Sequence, residues 1–146
     1  MNLISNAGLT PQPSSEPPTA ALPRLVIADD DPVVRSVLAS QLASQFDVVA
    51  VAVDAQDAIE LVSGHHPDVA LIDVMMPAGG GLRAVAEIYQ RAPETTVVAF
   101  SGDESERGVS EMLGAGATAY VRKGVSSQEL AQKLVLCMEA TRDVVG

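Results

Sequence analysis

Leu25-Val26-Ile27-Ala28-Asp29-Asp30-Asp31-Pro32 is the stretch that decides the fold. Four apolar residues run, without in–out alternation, straight into three aspartates and a proline. Unbroken apolar character of this length suits a strand buried on both faces. Asp31 then reads as a helix N-cap and Pro32 as the first helical residue. Strand, acidic turn and helix start thus lie within eight residues. The same grammar recurs downstream. Further strand-like runs are Val48–Val51, Val69–Ile72, Val97–Phe100 and Thr118–Val121. Helical spacing links Val34, Val37, Leu38 and Leu42; Ala58, Ile59 and Val62, closed by Gly64; Leu82, Val85, Ile88 and Tyr89; Val109, Met112 and Leu113, closed by Gly114 and Gly116; and Leu130, Leu134, Cys137 and Met138. Five strands alternating with five helices predict an α/β fold, a five-stranded doubly wound parallel sheet with helices on both faces. In such sheets function sits beyond the C-terminal strand ends.

Those ends carry chemistry. The first strand runs into Asp29-Asp30-Asp31, the third ends in Asp73, the fourth in Ser101, and Lys123 follows the fifth. Parallel strands bring all of them to one edge. Alone, the aspartate run is explained by capping. Beside Asp73 it is a cluster whose members repel and raise one another's pKa. A hard divalent cation relieves that repulsion, and all-oxygen ligands suit Mg²⁺ or Mn²⁺. A carboxylate near a cation and a lysine can act as a nucleophile toward phosphorus. The first loop lacks the Gly-x-Gly-x-x-Gly of a dinucleotide fold, and the chain has no Walker loop.

Composition agrees. The 146 residues are 47% hydrophobic, enough for one packed domain. A formal net charge of −10 sets the surface against phosphate backbones, so direct nucleic-acid binding is not expected. Cys137 is the single cysteine, which excludes an intramolecular disulfide and a cysteine zinc cage. No apolar run is long enough to span a membrane, and the N-terminus lacks signal-peptide character; a soluble, cytoplasmic protein is expected. Residues 1–23 hold five of the nine prolines and one charged side chain, Glu16, and read as a disordered Pro/Ser-rich tail. The folded domain is expected over 24–146. His65-His66 reads as a solvated turn, and Glu104, Glu106 and Glu111 as a solvated helix face.

The run Leu25–Pro32, with Pro67–Pro77, Val97–Gly102 and Gly114–Lys123, in this order and spacing, resembles the receiver domain of two-component response regulators. The resemblance covers about residues 24–141. It implies a flavodoxin-like (βα)5 fold with strand order 2-1-3-4-5. It makes Asp73 the phosphoacceptor, served by a histidine kinase or phosphotransfer protein. Asp30 would be a direct Mg²⁺ ligand, Asp29 its neighbour on metal-bound water or the metal, and the Met75 backbone carbonyl the remaining protein ligand. Lys123 would pair with phosphoryl oxygens, Ser101 would bond one of them, and Tyr120 would change rotamer in step with Ser101. Two departures stand out. Gly124 replaces the proline usual after the lysine, so a trans bond is expected there. Ala78-Gly79-Gly80-Gly81 lacks the acidic residue common before the last glycine, and so many glycines suggest a mobile loop.

The resulting expectation is a phosphorylation switch, not an enzyme beyond slow self-dephosphorylation. Output would pass through a partner protein, a relay, or a domain absent from this chain, since five residues after 141 hold no DNA-binding unit. The face of the fourth helix, fifth strand and fifth helix is the expected exit, and a homodimer could form through it. Two other classes stay open: a degenerate receiver serving as a docking module, and an aspartyl-nucleophile phosphatase of the haloacid dehalogenase type. The second wants an Asp where Met75 stands.

Overall fold

The structure is a computed structural model that describes residues 21–102 and 105–145. The proposed tail over 1–23 therefore lies almost wholly outside the described residues, as does Glu104. Five strands alternate with five helices: β1 (Arg24–Ala28), α1 (Pro32–Leu42), β2 (Asp47–Ala52), α2 (Ala55–His65), β3 (Val69–Asp73), α3 (Gly80–Arg91), β4 (Thr96–Ser101), α4 (Glu106–Ala115), β5 (Ala119–Arg122) and α5 (Ser127–Val145). The strands form one sheet in the order β2-β1-β3-β4-β5, and every pairing is parallel. Each expected strand is present within one or two residues of its expected ends.

Strand alternation sorts the core into two layers. Val26, Ala28, Ala70, Ile72, Val97 and Ala99 face α2, α3 and α4, where they meet Ile59, Val62, Val85, Ile88 and Met112. Their neighbours Leu25, Ile27, Val69, Leu71, Val98 and Phe100 face α1 and α5, against Leu38, Leu42, Leu130 and Leu134. With both faces covered, β1, β3 and β4 need apolar residues at nearly every position, which explains their unbroken runs. Phe46, just before β2, is buried and closes the α1–α5 layer.

Four of the helices differ in part from the expected pattern. In α3 the buried stripe is Gly81, Ala84, Val85 and Ile88, whereas Leu82 and Tyr89 are exposed. Small residues occupy the stripe because the helix start lies directly on the end of β3. A Cβ on Gly81 would stand 2.5 Å from the Asp73 carbonyl oxygen and 2.6 Å from the Val74 Cα. In α4 only Met112 is buried, and Leu113 faces outward. Helix α2 passes through Gly64 and runs to His65; His66 caps it in the left-handed conformation, its N–H on the Val62 carbonyl. At α1 the capping expectation holds, with Asp31 accepting from the Val33 and Val34 amides and Pro32 at the first position, but Val37 of the expected apolar stripe is exposed.

Candidate functional site

β1 and β3 are adjacent and in register from Leu25–Val69 to Ala28–Ile72. The residues that follow each strand therefore come side by side. Asp29 and Asp73 are both buried, and Asp30 is exposed beside them. One carboxylate oxygen from each lies within 4.8 Å of the others. Lys123 reaches this cluster from beyond β5. Its backbone N–H donates to the Ser101 carbonyl at 2.8 Å, which anchors the residue at the end of β4. Its Nζ donates to Asp29 Oδ2 at 3.0 Å and pairs with Asp73 Oδ1 at 3.3 Å. The same ammonium lies 5.5 Å from the centre of the Phe100 ring, a cation–π contact that the sequence did not announce.

The two buried acids are held differently. Asp29 Oδ1 accepts the Asp31 amide at 2.9 Å, so it orders the acidic turn as well as facing the pocket. Asp73 Oδ1 accepts the Met75 amide at 3.3 Å. Burial, and then the charge of Asp29, push the Asp73 carboxyl above the ordinary value, with Lys123 opposing them. Burial pulls the Lys123 ammonium down, but its bond to Asp29 and the charges of Asp73 and Asp29 outweigh that and hold it above the ordinary lysine value. The pocket thus has one cation against three clustered carboxylates. That surplus of oxygen donors, with one buried acid reluctant to ionise, is a donor set that fits a hard divalent ion.

Ser101 is buried at the end of β4, one residue past Phe100, the register partner of Asp73. By alternation it shares a sheet face with Tyr120, which is half-buried against the α2–α4 layer. The structure therefore clusters Asp29, Asp30 and Asp73, with Lys123 bridging Asp29 and Asp73, and places Ser101 and Tyr120 along one face of the neighbouring strands. Met75 has its side chain exposed, so its backbone is the part turned to local use. The Lys123–Gly124 peptide is trans and Gly124 has a φ of 105°. The Ala78–Gly80 turn has positive φ at three consecutive residues, 64°, 100° and 75°. Two of the glycines thus meet a backbone requirement, and Gly81 meets the close approach described above. Among the described residues no helix is long and apolar enough to cross a membrane.

The sheet is wound in the order 2-1-3-4-5 and carries an acidic, lysine-bridged pocket at its C-terminal edge. The chain belongs to the response regulator receiver domain family, whose model matches residues 25–135. It is 33% identical over 137 residues to the transcriptional regulatory protein PdtaR of Mycobacterium tuberculosis, covering 92% of this chain and 65% of that one. It is 37% identical over 110 residues to the oxygen regulatory protein NreC of Staphylococcus epidermidis, covering 73% of this chain and 50% of that one. Among solved structures it is similar to the signal receiver domain of NarL from Mycobacterium tuberculosis, with a TM-score of 0.78, 29% identity, and coverage of 82% and 98%. The chain spans less than two thirds of the length of these curated relatives. It is a receiver domain of two-component response regulators, a family of phosphoacceptor switches that bind Mg²⁺ through an acidic pocket and work with histidine kinases and output domains.

Proposed function

We propose that Asp73 accepts a phosphoryl group from a phosphohistidine of a histidine kinase or phosphotransfer protein, in a pocket loaded with Mg²⁺. The observation that carries this reading is the Lys123 ammonium bridging Asp29 and Asp73, with Asp30 beside them. An Asp73 carboxylate oxygen forms the new P–O bond while the P–N bond to the donor imidazole breaks, its electron pair leaving on that nitrogen. Asp29, Asp30, Asp73 and the Met75 carbonyl would hold Mg²⁺, with Mn²⁺ an alternative ion. When bound, the ion supplies charge neutralisation on the phosphoryl oxygens. Lys123 is already placed to exchange its bond to Asp73 for one to a phosphoryl oxygen. Asp29 keeps the ammonium oriented during that exchange, because the two are bonded before the group arrives.

The phosphoryl group adds charge and strong acceptors beside β4. Ser101 turns its hydroxyl toward it, and Tyr120, on the same face of the next strand, fills the space released. Two discrete packings are then biased by one covalent event, and the α4–β5–α5 face reports it. The reading makes the domain a cytoplasmic switch whose output passes to another protein, to a second copy through that face, or to a domain outside this sequence. It does not contact nucleic acid itself, and its one catalytic capacity is slow loss of its own phosphoryl group. The exposed Met75 side chain, two residues after Asp73, offers no acid for a phosphatase.

The test is a titration with a phosphoryl mimic, beryllofluoride, followed by backbone amide NMR. Shifts that require Mg²⁺, spread from Asp73 to α4 and α5, and vanish in Asp73→Asn support the reading. Shifts that persist in Asp73→Asn, or that stay within the loops around Asp73, contradict it.

A further inference from the structure

The β3–α3 loop, residues 74–79, carries the Met75 carbonyl, yet its far end at Ala78–Gly79 has little of its own to hold it. Gly79 stands at the cap position of α3 and has no side chain to cap the helix. Ala78 sits in the left-handed region, which is unfavourable for a residue with a Cβ. Three backbone bonds help: Val74 N–H to the Phe100 carbonyl at 3.1 Å, Gly81 N–H to the Val74 carbonyl at 2.8 Å, and Ala55 N–H to the Pro77 carbonyl at 3.1 Å. Met75 N–H also donates to Asp73 Oδ1. None of these reaches the turn at Ala78–Gly79.

One side chain does. Arg83, on the first turn of α3, donates from Nη1 to the Ala78 carbonyl at 2.9 Å. Its Nη2 donates to Gln56 Oε1 at 2.5 Å, across to the first turn of α2. Its Nε donates to Glu87 Oε2 at 2.8 Å, one helical turn further on. Its aliphatic stem lies on bare Gly79 backbone: a Cβ there would stand 2.6 Å from the Arg83 Cδ. Gln56 is braced in turn by Glu60, whose Oε2 accepts from Gln56 Nε2 at 2.9 Å. The planar guanidinium holds its donors apart in a fixed fork, so Arg83 reaches acceptors on three separate segments, whereas a lysine gathers its donors at a single point.

We propose that Arg83 is a positioning residue for the cation pocket: it clamps the Ala78–Gly79 turn against α2 and so fixes where the Met75 carbonyl stands. This rests on the Mg²⁺ pocket proposed above. It also gives Gly79 a purpose, since only a bare backbone lets the stem cross the turn.

The experiment uses the full chain. Amide hydrogen exchange is measured without metal, and Mg²⁺ affinity by titration of the pocket amide shifts. In Arg83→Ala the amides of Val74–Gly81 exchange faster, those of β1 and β4 keep their protection, and Mg²⁺ binds more weakly by a factor of roughly 3 to 10, the worth of about one net hydrogen bond. Arg83→Lys, which keeps the stem and charge but not the fork, falls between. Gln56→Ala removes one arm of the clamp and moves both readouts in the same direction. Should Arg83→Ala bind Mg²⁺ within about twofold of the parent, below the worth of a net hydrogen bond, the clamp has no bearing on the pocket and the proposal is overturned. Faster exchange with unchanged affinity overturns it equally. Failure of the parent chain to bind Mg²⁺ at Asp30 and Asp73 would instead sink the pocket reading beneath it.

Discussion

Removing the ammonium of Lys123 isolates what its charge does. In Lys123→Ala, two buried carboxylates lose their cation. At an effective dielectric of about 20, separations of 3.0 Å and 3.3 Å correspond to gross attractions of roughly 5 kcal/mol each. The side chain is 31% exposed, so screening and the cost of holding the ammonium remove much of that. An upper bound follows from proton uptake. A carboxyl that cannot remain charged takes a proton, and carrying one from its ordinary pKa near 4 to neutral pH costs about 4 kcal/mol. The expected loss at pH 7 is therefore about 2–4 kcal/mol, or a melting temperature lower by roughly 8–16 °C for a domain of this size. The loss depends on pH. A folded carboxyl with a raised pKa binds more protons than the unfolded chain above the ordinary Asp value, so stability falls as pH rises through that window. The gap between the variant and the parent should be widest near neutral pH and shrink toward about pH 4.5. Mg²⁺ should also close part of it, by supplying the missing positive charge. Thermal melts across pH, with and without Mg²⁺, read all of this. A loss equally large at both ends of the pH range, and indifferent to Mg²⁺, would refute the charge account and leave only lost packing of the lysine side chain.

Other substitutions probe separate parts. Asp30→Ala should lose most of the Mg²⁺-induced rise in melting temperature and leave the metal-free domain no less stable, because it removes a like charge; an unchanged Mg²⁺ response would place the ion elsewhere. Gly81→Ala should cost about 1–3 kcal/mol in denaturant unfolding, since its methyl group meets Asp73 and Val74 backbone that cannot yield. Stability within error of the parent would mean that the α3 start shifts freely. A chain beginning at Leu22 should melt with the full-length protein, as the composition of the first residues suggests; a clear loss would show that they dock on the domain.

Sequence reading reached the strands because burial on both faces leaves an unmistakable run of apolar residues, as in Val69–Asp73. It reached Asp29, Asp30, Asp73, Ser101 and Lys123 because a parallel sheet brings strand ends together whatever their separation along the chain. It misread α3, where Leu82 and Tyr89 continue an apolar spacing that the fold leaves in solvent. The real stripe uses Gly81 and Ala84, whose small size records a close approach and not hydrophobicity. Spacing alone could not divide labour between Asp29 and Asp30: one is buried on Lys123 and the other open to solvent, and only the direction of the turn after β1 separates them. Arg83 gave no signal because Gln56 is near it only in the folded chain, and the Ala78 carbonyl turns toward it only through the left-handed turn before α3. The cation–π contact of Lys123 on Phe100 was hidden for the same reason.

The central claim is that Asp73 is where the phosphoryl group is received. Intact mass spectrometry after incubation with acetyl phosphate tests it most directly, on the parent and on Asp73→Asn, with Mg²⁺ and with the ion chelated. The account predicts one phosphoryl adduct on the parent, present only with Mg²⁺, and none on Asp73→Asn. An adduct of equal yield on Asp73→Asn, or one that forms on the parent regardless of Mg²⁺, would contradict it.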